Sequence, residues 1–323
     1  MTETYFSSIK NTFDQYLRFN RNLNQNTIRN YLNDTETFIK YLELAEFTNF
    51  KEINRNTIRN YLHWLITEAS PKNIKGKKGY AHQSIARKLS SLRALFSFLL
   101  KSNFIEEDPS KQIERAKLEK NLPEVLNVED INSIIESTDS SKSGLRDRVI
   151  LELLYSCGLR VSELTAINIH DIDFDAKQIR VTGKGSKQRI VLFGTPGYDS
   201  LKNYLSSSRP FLQSRKNDPA LLLNKYGERI SQRSIQKIVK TYAGKANLLS
   251  VNPKPHTFRH SYATHLLDGG ADIRIVQELL GHSSPVTTQI YTHISQSSAK
   301  ETYIASHPRS KLKKKPPPIN NSK

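Results

Sequence analysis

Residues 256–291 read HTFRHSYATHLLDGGADIRIVQELLGHSSPVTTQIY, and this stretch sets the terms for the rest of the chain. It carries His256, Arg259, His282 and Tyr291 over two expected helices and the turn between them. No apolar periodicity calls for polar groups at these places. A buried polar cluster costs stability unless it is paired, so a cluster of this kind usually acts on a ligand. Two imidazoles, a guanidinium and a phenol suit an anion.

The composition points the same way. The chain has 323 residues, enough for two domains. It carries 49 Lys and Arg against 31 Asp and Glu, a formal charge of +18. An excess this large favours a polyanionic partner, most often nucleic acid. Cys157 is the single cysteine, which excludes an internal disulfide and a thiolate metal cage, and it reads as a small buried apolar residue. The N-terminus lacks the basic and apolar regions of a signal peptide, and no window reaches the ~20 apolar residues of a membrane helix. A cytoplasmic protein that does not engage a membrane is therefore expected.

Working outward, residues 1–109 read as a four-helix domain. Apolar residues recur at helical spacing from Phe6 to Phe19, from Ile28 to Leu42, after Asn56, and from Ile85 to Leu99. The heptapeptide NTIRNYL starts at Asn26 and again at Asn56. It is read as two helices with one shared start signal, an Asn N-cap, and not as a structural repeat. Each copy puts an arginine, Arg29 or Arg59, in what should be a first turn. The helix dipole disfavours a cation there unless an anion faces it, and either a DNA phosphate or a nearby carboxylate would serve. The loop SPKNIKGKKGYAHQS holds Lys75, Lys77 and Lys78 and leads into a helix whose first turn carries Arg87 and Lys88. It is either a solvated loop or a phosphate contact.

Residues 110–123 are polar and read as a linker. Residues 124–307 read as a second, mixed domain. Asn127 caps a helix with Asp130 three residues on, and GLRDRVILELLYSCG forms another that Gly158 stops. HDIDF, QIRVT and QRIVLF alternate polar and apolar residues and predict a small three-stranded antiparallel sheet. The last two strands flank a glycine-bounded turn holding Lys184, with Lys187 at its far side. Residues 308–323 are basic and proline-rich and read as a disordered tail. The fold class expected is thus mainly α, with one small sheet in the second domain.

Several chemistries compete for the cluster. His256 and His260 have a zinc-like spacing, but there is no cysteine pair, and Thr257 stands where a metalloprotease helix carries Glu. No G-x-S-x-G elbow supports a serine hydrolase. His260 and His265 suit a core role. Phosphoryl transfer without a metal needs fixed donors on the equatorial oxygens, an activated nucleophile and a proton for the leaving alkoxide. Arg259 with a second arginine, His256, Lys184 and Tyr291 could fill those places.

HTFRHSYATHLL, LLGHSS and TTQIYTH, with GLRVSEL, GKGSK and HPRS, resemble the signature of the tyrosine recombinases, or phage-integrase family, and the last three its Xer-like branch. The resemblance covers most of residues 120–310, and the N-terminal part fits the family's helical, SAM-like core-binding domain in length and pattern. It implies that Arg160 and Arg259 clamp the scissile phosphate of double-stranded DNA and that His256 and His282 assist proton handling. It implies Lys184 as general acid, Tyr291 as nucleophile forming a 3′-phosphotyrosyl intermediate, and Glu163 as an acidic support. It also implies a dimer on each recombination site, a homo- or hetero-tetramer on two sites, no cofactor, and a segment near residues 299–306 that packs on a neighbouring protomer. Resolution of chromosome or plasmid dimers is the expected role, with a septal DNA translocase as a candidate partner. The integrase of a mobile element and a catalytically silent DNA-binding regulator are the alternatives.

Overall fold

A computed structural model describes residues 2–19, 23, 25–70, 78–113, 125–183, 187–213, 218–248, 251–281 and 296–310. It divides into two units, Met1–Asn121 and Leu122–Lys323, each with its own apolar core.

The first unit contains α1 (Thr2–Phe19), α2 (Gln25–Leu44), α3 (Arg55–Thr67) and α4 (His82–Lys101), as the periodicity predicts, with a 3-10 turn at Phe50–Glu52. Phe6, Phe13, Phe38, Tyr61, Leu92 and Phe96 are buried between them. Edge-on ring pairs add directional contact, with Phe38 and Tyr61 centroids 4.8 Å apart and Phe6 and Phe50 5.1 Å apart.

Two expectations for this unit change. First, the NTIRNYL helices begin earlier than their shared heptapeptide. The cap of α3 is Asn54, whose Oδ1 accepts from Asn56 N at 2.9 Å and Thr57 N at 3.1 Å. Arg29 and Arg59 thus lie past the first turn, exposed, and the dipole argument for a facing anion lapses. Second, Lys88 is not a surface cation. Only 3% of it is exposed, and its Nζ donates to Asp34 Oδ1 at 3.0 Å and Thr37 Oγ1 at 3.0 Å. Arg87 also pairs with Asp34, and Ser91 Oγ donates to it at 2.7 Å. Asp34 is itself buried, so this cluster ties α2 to α4. A buried carboxylate needs such partners, and the loop-side helix supplied them. Arg87 is partly exposed but is committed to the same carboxylate. The packed chain also runs past Pro109, because Ser110 and Ile113 are buried and Arg93 donates to Ile113 O.

In the second unit, α5 (Val128–Glu136) starts at Asn127, whose Oδ1 accepts from Asp130 N at 2.6 Å. Helix α6 (Lys142–Ser156) is buried on nearly every side, and its buried charges are paired, Arg146 with Asp147 and Glu152 with Arg309. It packs against α5, α7 (Val161–Ala166), α8 (Thr195–Ser207), α9 (Arg209–Leu212), α10 (Gln232–Lys245) and α11 (Pro255–Asp268). Then come α12 (Ile273–Leu280) and α13 (Gln296–Ser306).

The sheet has the order β1 (Ile172–Asp173), β2 (Gln178–Thr182), β3 (Gln188–Leu192), all antiparallel. Ile179 pairs with Val191 and Val181 with Arg189. The β2–β3 turn is closed by Gly183 N donating to Lys187 O at 2.8 Å. Residues 184–186 between them lie outside the described part.

The chain after Pro308 does not begin as a free tail. His307 is buried among three phenol rings, with centroids 4.9 Å from Tyr155, 5.1 Å from Tyr262 and 5.1 Å from Tyr303. Arg309 reaches the fully buried Glu152, so ordered packing continues to residue 310. Cys157 is buried and its thiol is pushed up to about 12, first by burial, as its apolar reading requires. Helix α13 packs on α11 and α12 of its own chain, with Tyr303 buried.

Candidate active site

The described half of the site is centred on one carboxylate. Glu163 sits in the first turn of α7 with 2% of its surface exposed. Its Oε2 accepts the backbone N–H of Arg160 at 2.9 Å, one half of a capping box, so the start of α7 fixes Arg160 beside it. Arg160 Nη1 donates to Oε1 at 2.8 Å. Arg189, from β3, donates Nη1 to Oε1 at 2.7 Å and Nη2 to Oε2 at 2.9 Å. Arg259 Nη1 stands 4.0 Å from Oε2. Burial alone would raise the Glu163 carboxyl; hydrogen bonds from Arg189 and Arg160 outweigh it and hold the group at about 2.

Arg259 comes from the first turns of α11. Its Nη1 donates to Gly158 O and its Nη2 to Leu280 O, both at 2.5 Å. Each of those nitrogens carries a second N–H, and Nε a further one, so donors remain for an anion. Burial and then Arg160 lower its guanidinium to about 10. Gly158 is needed where it stands. Its φ is +57°, and an added Cβ would lie 2.5 Å from the buried Tyr262 ring. Its bend lets α6 end and Arg160 turn toward Arg259.

His256 is the second residue of α11, after Pro255 at the first position. It is exposed, and partial burial, then His260, Arg259 and Arg160, lower its imidazole from the usual value of 6.5. The neutral form is therefore favoured near neutral pH, as a proton acceptor requires. His260 is exposed, against the core role expected of it. His265 does take that role, with Nδ1 2.8 Å from Tyr155 Oη.

The structure thus brings together Arg160, Glu163, His256 and Arg259, from helices about a hundred residues apart in sequence. Lys184, His282 and Tyr291 lie outside the described residues, as do Lys75 and Lys77. Lys78 and Lys187 are described and exposed. Arg189 went unread in the sequence. Its one signal is a charge at the sheet position opposite the buried Val181, where an unpaired arginine would be costly.

Comparison with known proteins identifies the family. Residues 124–298 match the phage integrase family, and residues 11–103 match the phage integrase N-terminal SAM-like domain. The chain belongs to the phage integrase family of tyrosine recombinases. It is 39% identical over 300 residues to tyrosine recombinase XerD of Staphylococcus epidermidis, covering 92% of this chain and 98% of that one. It is 38% identical to tyrosine recombinase XerC of Bacillus subtilis, covering 92% and 95%. Among solved structures it resembles XerH site-specific recombinase bound to its difH substrate. That match has 26% identity and a TM-score of 0.63, over 90% of this chain and 83% of that one.

Proposed function

We propose that this chain is a Xer-type site-specific DNA recombinase that cuts and rejoins DNA through a 3′-phosphotyrosyl intermediate. The observation that carries the proposal is the pair Arg160 and Arg259, held by one buried carboxylate with donors left over. A phosphodiester under attack gains charge on its equatorial oxygens, and two guanidiniums at fixed places are suited to stabilise it.

In this reading Tyr291 attacks the phosphorus, His256 and His282 accept or hold protons, and Lys184 protonates the departing 5′-oxygen. Five other phenols of the same unit are poorly placed to attack. Tyr155, Tyr204, Tyr242, Tyr262 and Tyr303 are buried, and burial raises each of them above the usual value of 10. The phosphotyrosyl bond conserves the energy of the broken phosphodiester, so rejoining needs no separate energy source. Exposed Arg29, Arg59, Lys78 and Lys187 are the described candidates for phosphate contact. Among the described residues no helix is long and apolar enough to cross a membrane.

Likeness to XerC and XerD favours resolution of chromosome or plasmid dimers over integration of a mobile element. Two protomers on each site and four in the synapse, of one chain or of two paralogues, complete the proposal. A septal DNA translocase is its candidate activator. The test is covalent trapping on a nicked duplex carrying the bound site, followed by a two-site assay. An adduct with recombinant products supports the proposal. An adduct with relaxation alone would make the protein a topoisomerase, and no adduct would leave a DNA-binding regulator.

A further inference from the structure

Arg189 has a place in this site that the phosphate-clamp reading leaves open. Three guanidiniums, on Arg160, Arg189 and Arg259, each find an ion-pair partner in the single carboxylate of Glu163. A carboxylate has about four acceptor sites. Here Arg189 fills two of them, and the backbone and side chain of Arg160 fill the other two. The third nitrogen of Arg189, Nε, donates to Leu279 O at 3.1 Å, in the last turn of α12. The next carbonyl, Leu280 O, is the one that holds Arg259. Gly281 follows at φ +64°, and a Cβ there would lie 2.9 Å from Arg189 Cδ. One planar side chain therefore joins the Glu163 carboxylate to the end of α12, and the Arg259 anchor sits one residue further on.

We propose that Arg189 is a positioning residue for the phosphate clamp: by occupying half of Glu163 it keeps Arg160 from being drawn fully onto that carboxylate, and by holding α12 it fixes the carbonyl that orients Arg259. This inference rests on the reading of Arg160 and Arg259 as the clamp. Its physical basis is competition. Arg160 is a third exposed, with one terminal nitrogen on Glu163. Removing the Arg189 fork opens two acceptor sites on a buried carboxylate, and the nearest donors able to fill them are the spare N–H groups of Arg160 and Arg259. Those are the groups that a phosphate would need. Three guanidiniums against one carboxylate also leave a surplus of two positive charges, which suits the charge of a pentacoordinate phosphate. Lysine cannot substitute, because it has the charge but not the three coplanar donors.

The experiment uses the full chain and a nicked duplex bearing a site selected by binding from random-sequence DNA. One version carries the natural scissile phosphate and the other a neutral methylphosphonate, on which far less charge develops. R189Q and R189K are compared with wild type in single-turnover adduct formation, with thermal unfolding of each variant measured in parallel. Both variants should bind the site as wild type does and cleave the phosphate roughly 100-fold more slowly, the cost of a misplaced charge-stabilising donor. The deficit should shrink at least about tenfold on the methylphosphonate, as it should for Arg160→Lys. Equal deficits on the two substrates would make Arg189 a structural residue only. Full activity of R189K would reduce its role to charge. Either result overturns the proposal, and R189K decides alone if R189Q fails to fold. If wild type itself forms no adduct, the clamp reading fails first and the inference falls with it.

Discussion

Arg309 donates Nε and Nη2 to the two oxygens of Glu152, at 2.7 and 2.6 Å, while its Nη1 donates to Asn132 at 2.8 Å. Glu152 is fully buried in the middle of α6. The HPRS sequence is thus the ionic partner of the central helix.

Substituting Arg309→Gln should leave that carboxylate buried and unpaired. The expected loss is about 3–5 kcal/mol of unfolding free energy, the usual cost of breaking a buried pair from one side. Chemical denaturation of the full chain measures it. A loss below about 1 kcal/mol, the range of a surface pair, would show that Glu152 is compensated elsewhere.

Acid should destabilise the protein in two windows. His307 is depressed to about 3, first by burial, against 6.5 when free. The unfolded chain therefore takes up its proton first, and stability falls as pH drops from 6.5 toward 3. Glu163 is held at about 2 against 4.5, so its contribution, on the order of 3 kcal/mol, is present above pH 4.5 and lost between 4.5 and 2. His307→Gln should flatten the upper window and Glu163→Gln the lower one. Unfolding curves recorded from pH 7 to 2 on the two variants would show whether the two contributions separate.

Lys88→Met should destabilise the first unit and leave the salt dependence of DNA binding unchanged, because Lys88 serves Asp34. Lys78→Ala should instead lower the slope of log affinity against log salt by about 1, as expected for one lost phosphate contact. A reduced slope for the Lys88 variant would return that residue to the DNA interface.

Tyr291→Phe should bind its site normally and form no covalent adduct. Adducts that persist would move the nucleophile to another residue.

Lys184→Ala should cleave a natural site at a rate lower by roughly 100-fold or more. A 5′-bridging sulfur should restore the rate, since a thiolate leaves without a proton. Absence of that rescue would count against Lys184 as the acid.

Legibility varied with the range of the interaction. Helix extents and sheet order follow from local periodicity, and so were readable from residues such as Ile85 to Leu99 and from the QIRVT and QRIVLF alternation. Arg160 and Glu163 entered the sequence reading only through the family resemblance, and their contact across one turn is a finding of the structure. Lys88 was misread because its partner Asp34 lies on a different helix, and no local pattern distinguishes a lysine facing a phosphate from one facing a distant carboxylate. Arg309 was misread for the same reason: the partner is on α6, and the flanking lysines and prolines resemble a solvated tail. Arg189 left a trace only in being a charge across the ladder from a buried valine.

The frame at the end of α12 also bears on the proposed nucleophile. Arg189 and Arg259 secure the carbonyls of Leu279 and Leu280, and α13 is docked on α11 and α12 from Gln296 onward. Tyr291 lies outside the described residues, between Gly281 and Gln296 in the sequence. The five or so residues from Tyr291 to Gln296 span at most about 18 Å when fully extended. On the proposed reading of Tyr291 as the nucleophile, where α13 docks sets which arginines lie within that reach. An α13 docked on a second protomer would carry that reach to the second protomer's arginines, so the docking partner of α13 decides whose strand is cut on this reading.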